Sequence, residues 1–161
     1  MTGAQREKAA VTAEGERQIL IERVFNAPRE RVYAAFTDPE LIPKWWGRHQ
    51  DTTTVDKMDV REGGEWRFVT KSDDGDHAFR GVFRKLSPPE LVEQTFEWEG
   101  MKGYVSVDTA TFEDLGDGRT RVVTVSVFHM PEERDAMLAA GMETGLQETY
   151  ERLDELLASQ Q

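Results

Sequence analysis

The sequence predicts an α+β helix-grip fold: a curved antiparallel sheet wrapped around a long C-terminal helix, with element order β-α-α-β6-α. Three observations predict it. Six successive segments between residues 52 and 129 alternate apolar and polar residues with period two, separated by short turns. A single helical segment follows, in which Met137, Leu138, Met142, Leu146, Thr149, Leu153, Leu156 and Leu157 recur at three- and four-residue spacing. Ahead of the sheet, one strand-like run leads into two helix-start signals in close succession.

In chain order, residues 17–26 are β-branched and apolar, and Asn26-Ala-Pro28 closes the first strand. Pro28 suits the first turn of a helix carrying Val32, Ala35 and Phe36. Thr37-Asp38-Pro39 stops that helix and starts another, with Asp38 as N-cap, which carries Leu41, Ile42, Trp45 and Trp46 to Gly47. The six strands are then expected at 52–61, 65–71, 77–86, 91–98, 104–113 and 119–129. Gly63-Gly64, Ser72-Asp-Asp-Gly-Asp76, Pro88-Pro89 and Leu115-Gly-Asp-Gly118 make the turns between them. The last helix opens at Pro131, whose acidic neighbours suit the positive end of the helix dipole. As one helix of about 26 residues it would reach roughly 39 Å. Gly141 and Gly145 inside it permit a kink, close approach, or empty volume beside the sheet.

With 161 residues, the chain is expected to form one domain over 17–158, between flexible tails at 1–16 and 159–161. Its formal net charge of −11 repels phosphate backbones, which argues against nucleic acid. No apolar run approaches the roughly 18–20 residues of a membrane span, so membrane insertion is not expected. The absence of cysteine excludes disulfides and thiolate chemistry and suits a cytoplasmic location. Monomer and homodimer both remain open.

Sequence motifs for chemistry are sparse. There is no Gly-x-Ser-x-Gly elbow, and His49, His77 and His129 are too far apart for a His-x-x-x-His metal pair. No cofactor is expected. Asp73-Asp74-Gly75-Asp76 reads as a hairpin turn, since it lacks the alternating ligands of a calcium loop. His129 shares its alternation with Val123, Val125 and Val127, which makes it the candidate polar anchor or acid–base group of a cavity. Glu97 and Asp108 read as solvated sheet face unless the strand registers turn them inward. Aromatic and methionine side chains are spread over nearly every element, as an apolar ligand pocket requires and as a solid core also requires. The candidate ligand-binding set is Trp45, Trp46, Met58, Trp66, Phe68, Phe79, Phe83, Trp98, His129, Met142, Leu146 and Tyr150. Of the two adjacent indoles, one is expected at the cavity mouth and the other in the core.

Several stretches carry a family resemblance. They are Phe25-Asn-Ala-Pro-Arg-Glu-Arg-Val-Tyr, Phe36-Thr-Asp-Pro-Glu, Lys44-Trp-Trp-Gly and Met58-Asp-Val-Arg-Glu-Gly-Gly-Glu-Trp-Arg-Phe68. Phe79-Arg-Gly-Val-Phe83, Thr111-Phe-Glu-Asp-Leu-Gly116, Gly141-Met-Glu-Thr-Gly-Leu-Gln and Leu153-Asp-Glu-Leu-Leu continue it. Together they resemble the START-like, polyketide cyclase/dehydrase and lipid-transport superfamily. More narrowly, they are similar to bacterial single-domain homologues of the C-terminal domain of the heat-shock chaperone ATPase activator. The resemblance implies binding of a small hydrophobic or aromatic molecule between sheet and helix. It leaves two alternatives open: cofactor-free cyclase, dehydratase or hydrolase chemistry through His129, and a chaperone-associated stress-response role.

Overall fold

The computed structural model describes residues 8–160. Its first element lies inside the expected tail: β1 (Ala10–Glu14) pairs antiparallel with β2 (Gln18–Phe25). Only Val11 of β1 is even half-buried, so the strand carries no apolar alternation for the sequence to display. Backbone pairing and two side-chain clamps hold it. Gln147 brackets Ala9, accepting from its N–H at 3.0 Å and donating to its carbonyl at 2.8 Å. Buried Arg134 donates to the carbonyls of Glu14, Gly15 and Gln18. Residues 1–7 of the expected tail, and Gln161 at the other end, lie outside the described residues.

Pro28 leads into α1 (Arg29–Thr37), which buries Val32, Tyr33 and Ala35. The expected second helix is only a 3-10 turn at Ile42–Lys44, with Pro43 inside it offering no backbone N–H. Asp38 makes the expected capping contact ahead of that turn, accepting from the Glu40 N–H at 2.9 Å while its carbonyl accepts from the Leu41 and Ile42 N–H groups. Six strands follow: β3 (Thr52–Met58), β4 (Glu65–Ser72), β5 (Gly75–Ser87), β6 (Leu91–Trp98), β7 (Ser106–Asp114) and β8 (Thr120–Phe128). All eight strands form one antiparallel sheet in the order β1-β2-β8-β7-β6-β5-β4-β3. The helix-grip arrangement is present, with one more strand than expected.

The long C-terminal helix is two helices. α2 (Pro131–Ala139) ends one turn before α3 (Met142–Ser159) begins, and Gly141 between them sits at φ 84°. That left-handed conformation is open to glycine and strained for other residues. α3 covers the concave face through Tyr150, Leu153 and Leu157. It is tied to β2 by Arg23, which is 3% exposed, donates to both Asp154 carboxylate oxygens at 3.0 and 2.5 Å, and lies over the Phe25 ring.

The break makes the two glycines behave oppositely on substitution. Gly141→Ala is expected to destabilise by about 1 kcal/mol, because alanine must adopt the left-handed conformation. Gly145 lies inside α3 with nothing within 4 Å of an added Cβ, so Gly145→Ala is expected to stabilise by about 0.5–1 kcal/mol. Urea denaturation of the two variants checks the pair. Stabilisation by both would indicate a continuous helix through residue 141.

Candidate functional site

Between the sheet and α3 lies a cavity of about 490 Å³. The strand registers explain its wall. On the concave side, one row across the sheet reads Phe83, Gln94, Asp108, Ser126, Ile19. The next reads Val92, Ala110, Thr124, Ile21, and another reads Phe96, Ser106, Phe128. Every one of these residues lines the cavity. Met137 of α2 and Met142, Leu146, Thr149 and Tyr150 of α3 face them.

The Trp45-Trp46 turn closes one side. The Trp45 indole is 1% exposed, donates to the Ala35 carbonyl at 2.9 Å, and packs on Phe36 at 4.9 Å between centroids. Trp46 is half-buried and stands edge-on to Phe68 at 4.9 Å and Phe79 at 5.9 Å. Both indoles touch the cavity, so the expected division is one of degree. Arg152 of α3 fixes this turn by donating to the carbonyls of Lys44, Trp46, Gly47 and Arg48 at 3.0–3.4 Å. Its positive charge sits against the carbonyl ends that converge at this turn. The Thr53 hydroxyl adds a bond to the Trp46 carbonyl at 2.7 Å. The sequence reading missed Arg152, because nothing local marks which helical arginine meets a distant turn.

Of the candidate ligand-binding set, Met58, Phe68, Phe79, Phe83, Trp98, Met142, Leu146 and Tyr150 line the cavity with Trp45 and Trp46. Trp66 does not. It is buried at 1% exposure behind the wall, within 4.7 Å of Phe68 and 6.1 Å of Phe96 by ring centroids, with its indole over Gly81, its partner on β5. His129 does not either. It lies just past the end of β8, exposed at the surface, which removes it as polar anchor and as acid–base group of this cavity.

The error over His129 has a definite cause. Val123, Val125 and Val127 look like the core face of β8, but they are the half-buried outer face. The inner face is Val122, Thr124, Ser126 and Phe128, apolar at both ends and polar in the middle. β7 places Ser106, Asp108, Ala110 and Phe112 inward in the same way, with Phe112 2% exposed. The alternation shared with Phe112 and Phe128 was the signal that could have turned Asp108 inward. Glu97, by contrast, points outward, where it pairs with Arg80 at 2.9 Å and accepts from the Gly103 N–H.

Asp108 is the chemically distinctive group of the wall. It lines the cavity, and burial pushes its carboxyl up to about 6. The Ser106 hydroxyl at 2.8 Å and the Ser126 hydroxyl partly counter that rise by donating to it. Tyr150 meets Thr124 nearby, and its hydroxyl is pushed well above the ordinary phenol range by burial. The other titratable groups of the wall have partners: Arg48 pairs with Asp51 at 3.1 Å, and the His77 ring lies 3.2 Å from the Asp74 carboxylate, which also accepts from the Ser72 hydroxyl. Among the described residues, no cluster of three or more His, Cys, Asp or Glu is placed to hold a metal, and no helix is long and apolar enough to cross a membrane.

Comparison with known proteins places this architecture. Residues 26–158 match the family model described as Activator of Hsp90 ATPase homolog 1-like protein. No curated protein matches the chain. Among solved structures, a crystal structure of a Rhodobacter sphaeroides protein is similar at TM-score 0.86 and 25% identity, covering 94% of this chain and 99% of that one. A solution structure of an Arthrobacter aurescens protein gives TM-score 0.83 at 25% identity, covering 93% and 91%. The Chromobacterium violaceum protein CV1439 is 29% identical at TM-score 0.73, covering 87% and 96%. These agree with the superfamily and fold that the sequence motifs imply, and the chain belongs to the Activator of Hsp90 ATPase homolog 1-like family.

Proposed function

We propose that this protein binds a small, mostly apolar molecule, aromatic or lipid-like, in the cavity between sheet and α3. The observation that carries the reading is the cavity itself. Its volume of about 490 Å³ falls within the roughly 300–1,000 Å³ typical of ligand pockets. Its wall is also of the right kind. Trp46, Trp98, Phe68, Phe79, Phe96 and Met142 supply flat and adaptable apolar surface, while hydroxyls and one carboxyl converge on a single patch. A solid core would have no use for Asp108, Ser126 and Thr124 at its centre, because buried polar groups cost free energy without partners.

A screen of small aromatic and lipid-like compounds by thermal shift, followed by titration calorimetry, tests the reading. A true ligand at a hundredfold excess over its Kd stabilises the fold by about 2.7 kcal/mol, which for a domain of this size raises Tm by roughly 5–10 °C. Trp45 and Trp46 line the cavity, so their fluorescence should respond saturably at the same concentrations. A screen with no saturable response in either measurement would count against ligand binding.

A further inference from the structure

We propose that the ligand of this cavity carries a protonated amine, and that Asp108 receives it. The inference rests on the small-molecule reading above and names the chemical class. It starts from the charges of the cavity wall. Arg48 is matched by Asp51, and Asp74 bonds to Ser72 and His77, whereas Asp108 has no ion-pair partner among the described residues. Its neighbours across the sheet are Gln94 and Ser126, and its neighbours along β7 are Ser106 and Ala110. The hydroxyls donate to it but bring no positive charge.

The elements packed against this patch add no unpaired positive charge either. β2 contributes Ile19 and Ile21, β6 contributes Val92 and Gln94, β8 contributes Thr124 and Ser126, and α2 contributes Met137. α3 contributes Tyr150, the titratable group that feels the charge of Asp108. Arg23 also acts on Tyr150, but its guanidinium is engaged by both oxygens of Asp154. An unpaired carboxylate beside Phe96 and Phe128 is costly to keep ionised. A ligand cation relieves that cost, whereas a ligand carboxylate increases it.

Two further features favour an amine over a neutral donor. Aromatic faces attract ammonium groups, and the wall is rich in them. The net charge of −11 also draws cations toward the protein and slows the approach of anions. With its carboxyl near 6, Asp108 is mostly ionised at pH 7.5 and mostly protonated at pH 5.

Three probes of nearly the same shape test the proposal by calorimetry: 1-naphthylmethylamine, 1-methylnaphthalene and 1-naphthoate. At pH 7.5 the amine is expected to bind at least tenfold more tightly than methylnaphthalene, with naphthoate weakest. Asp108→Asn is expected to weaken the amine at least tenfold and to leave methylnaphthalene within twofold. The wild-type protein supplies a measurement that needs no variant: its affinity for the amine should fall about tenfold between pH 7.5 and 5.0, with methylnaphthalene unchanged. Equal binding of amine and methylnaphthalene, or an amine affinity that ignores both pH and Asp108→Asn, overturns the amine proposal and leaves the small-molecule reading standing. Binding of none of the three overturns both.

Discussion

Trp45→Ala is expected to destabilise the protein by about 3–5 kcal/mol, lowering Tm by roughly 6–20 °C. Three losses add up at this site. The indole is 1% exposed, so its removal forfeits a large buried apolar area and leaves a void beside Phe36. The ring N–H donates to the Ala35 carbonyl at 2.9 Å, and that buried acceptor is left without its partner. Tyr150 of α3, 6.4 Å from Trp45 by ring centroids, then loses part of the surface it packs on. Trp46→Ala is the informative contrast. Trp46 is only half-buried and its contacts with Phe68 and Phe79 lie along the cavity. Its truncation is expected to cost less than half as much stability and to weaken an apolar cavity ligand more than Trp45→Phe does. Urea denaturation together with calorimetry of one cavity probe separates the two indoles. Equal stability losses from the two alanine variants would contradict the packing described here.

The alternating strands and the amphipathic C-terminal segment were legible because each writes its burial into a local period. β5 and β6 are placed by that period together with the turn at Ser72–Asp76 and the break at Pro88-Pro89, within two residues of where they lie. β1 was not legible. Its side chains are nearly all exposed, and what holds it is backbone pairing to β2 and clamps from Gln147 and Arg134, more than a hundred residues away. Gly141 stands out in the sequence, but a glycine one turn from Gly145 within an apolar period does not reveal which of the two has positive φ. In the candidate site, large apolar side chains were easy to find because they are inward on almost any register. The polar patch was harder. Period-two reading assumes that the more apolar face of a strand is the inner one, and β8 reverses that where the sheet faces a cavity. That reversal is why His129 lies outside the cavity and Asp108 lines it. Strands that face an empty volume obey a different rule from strands that face packed side chains.

Gly81→Ala is expected to destabilise by about 3 kcal/mol or more, although it adds a single methyl group in the middle of a strand. A Cβ at this position would lie 2.0 Å from the Thr95 carbonyl oxygen and 2.7 Å from Trp66 Nε1. The second contact can yield, because an indole can tilt. The first cannot, because Thr95 is backbone of the adjacent strand β6, held on its other side by β7 through Val107. Relief therefore requires β5 and β6 to part where Phe79 pairs with Trp98 and Phe83 with Gln94, all four of them cavity-lining residues. Stability and ligand affinity should fall together in this variant, unlike Asp108→Asn, whose effect is confined to the amine. Adding Trp66→Phe is expected to recover little, since it removes only the softer of the two contacts. Val82→Thr, one residue along and 37% exposed, is the control and is expected to stay within about 0.5 kcal/mol of wild type. Denaturation curves for the three variants decide the matter. A Gly81→Ala protein as stable as the control would mean that β5 and β6 are not as close at this point as the sheet requires.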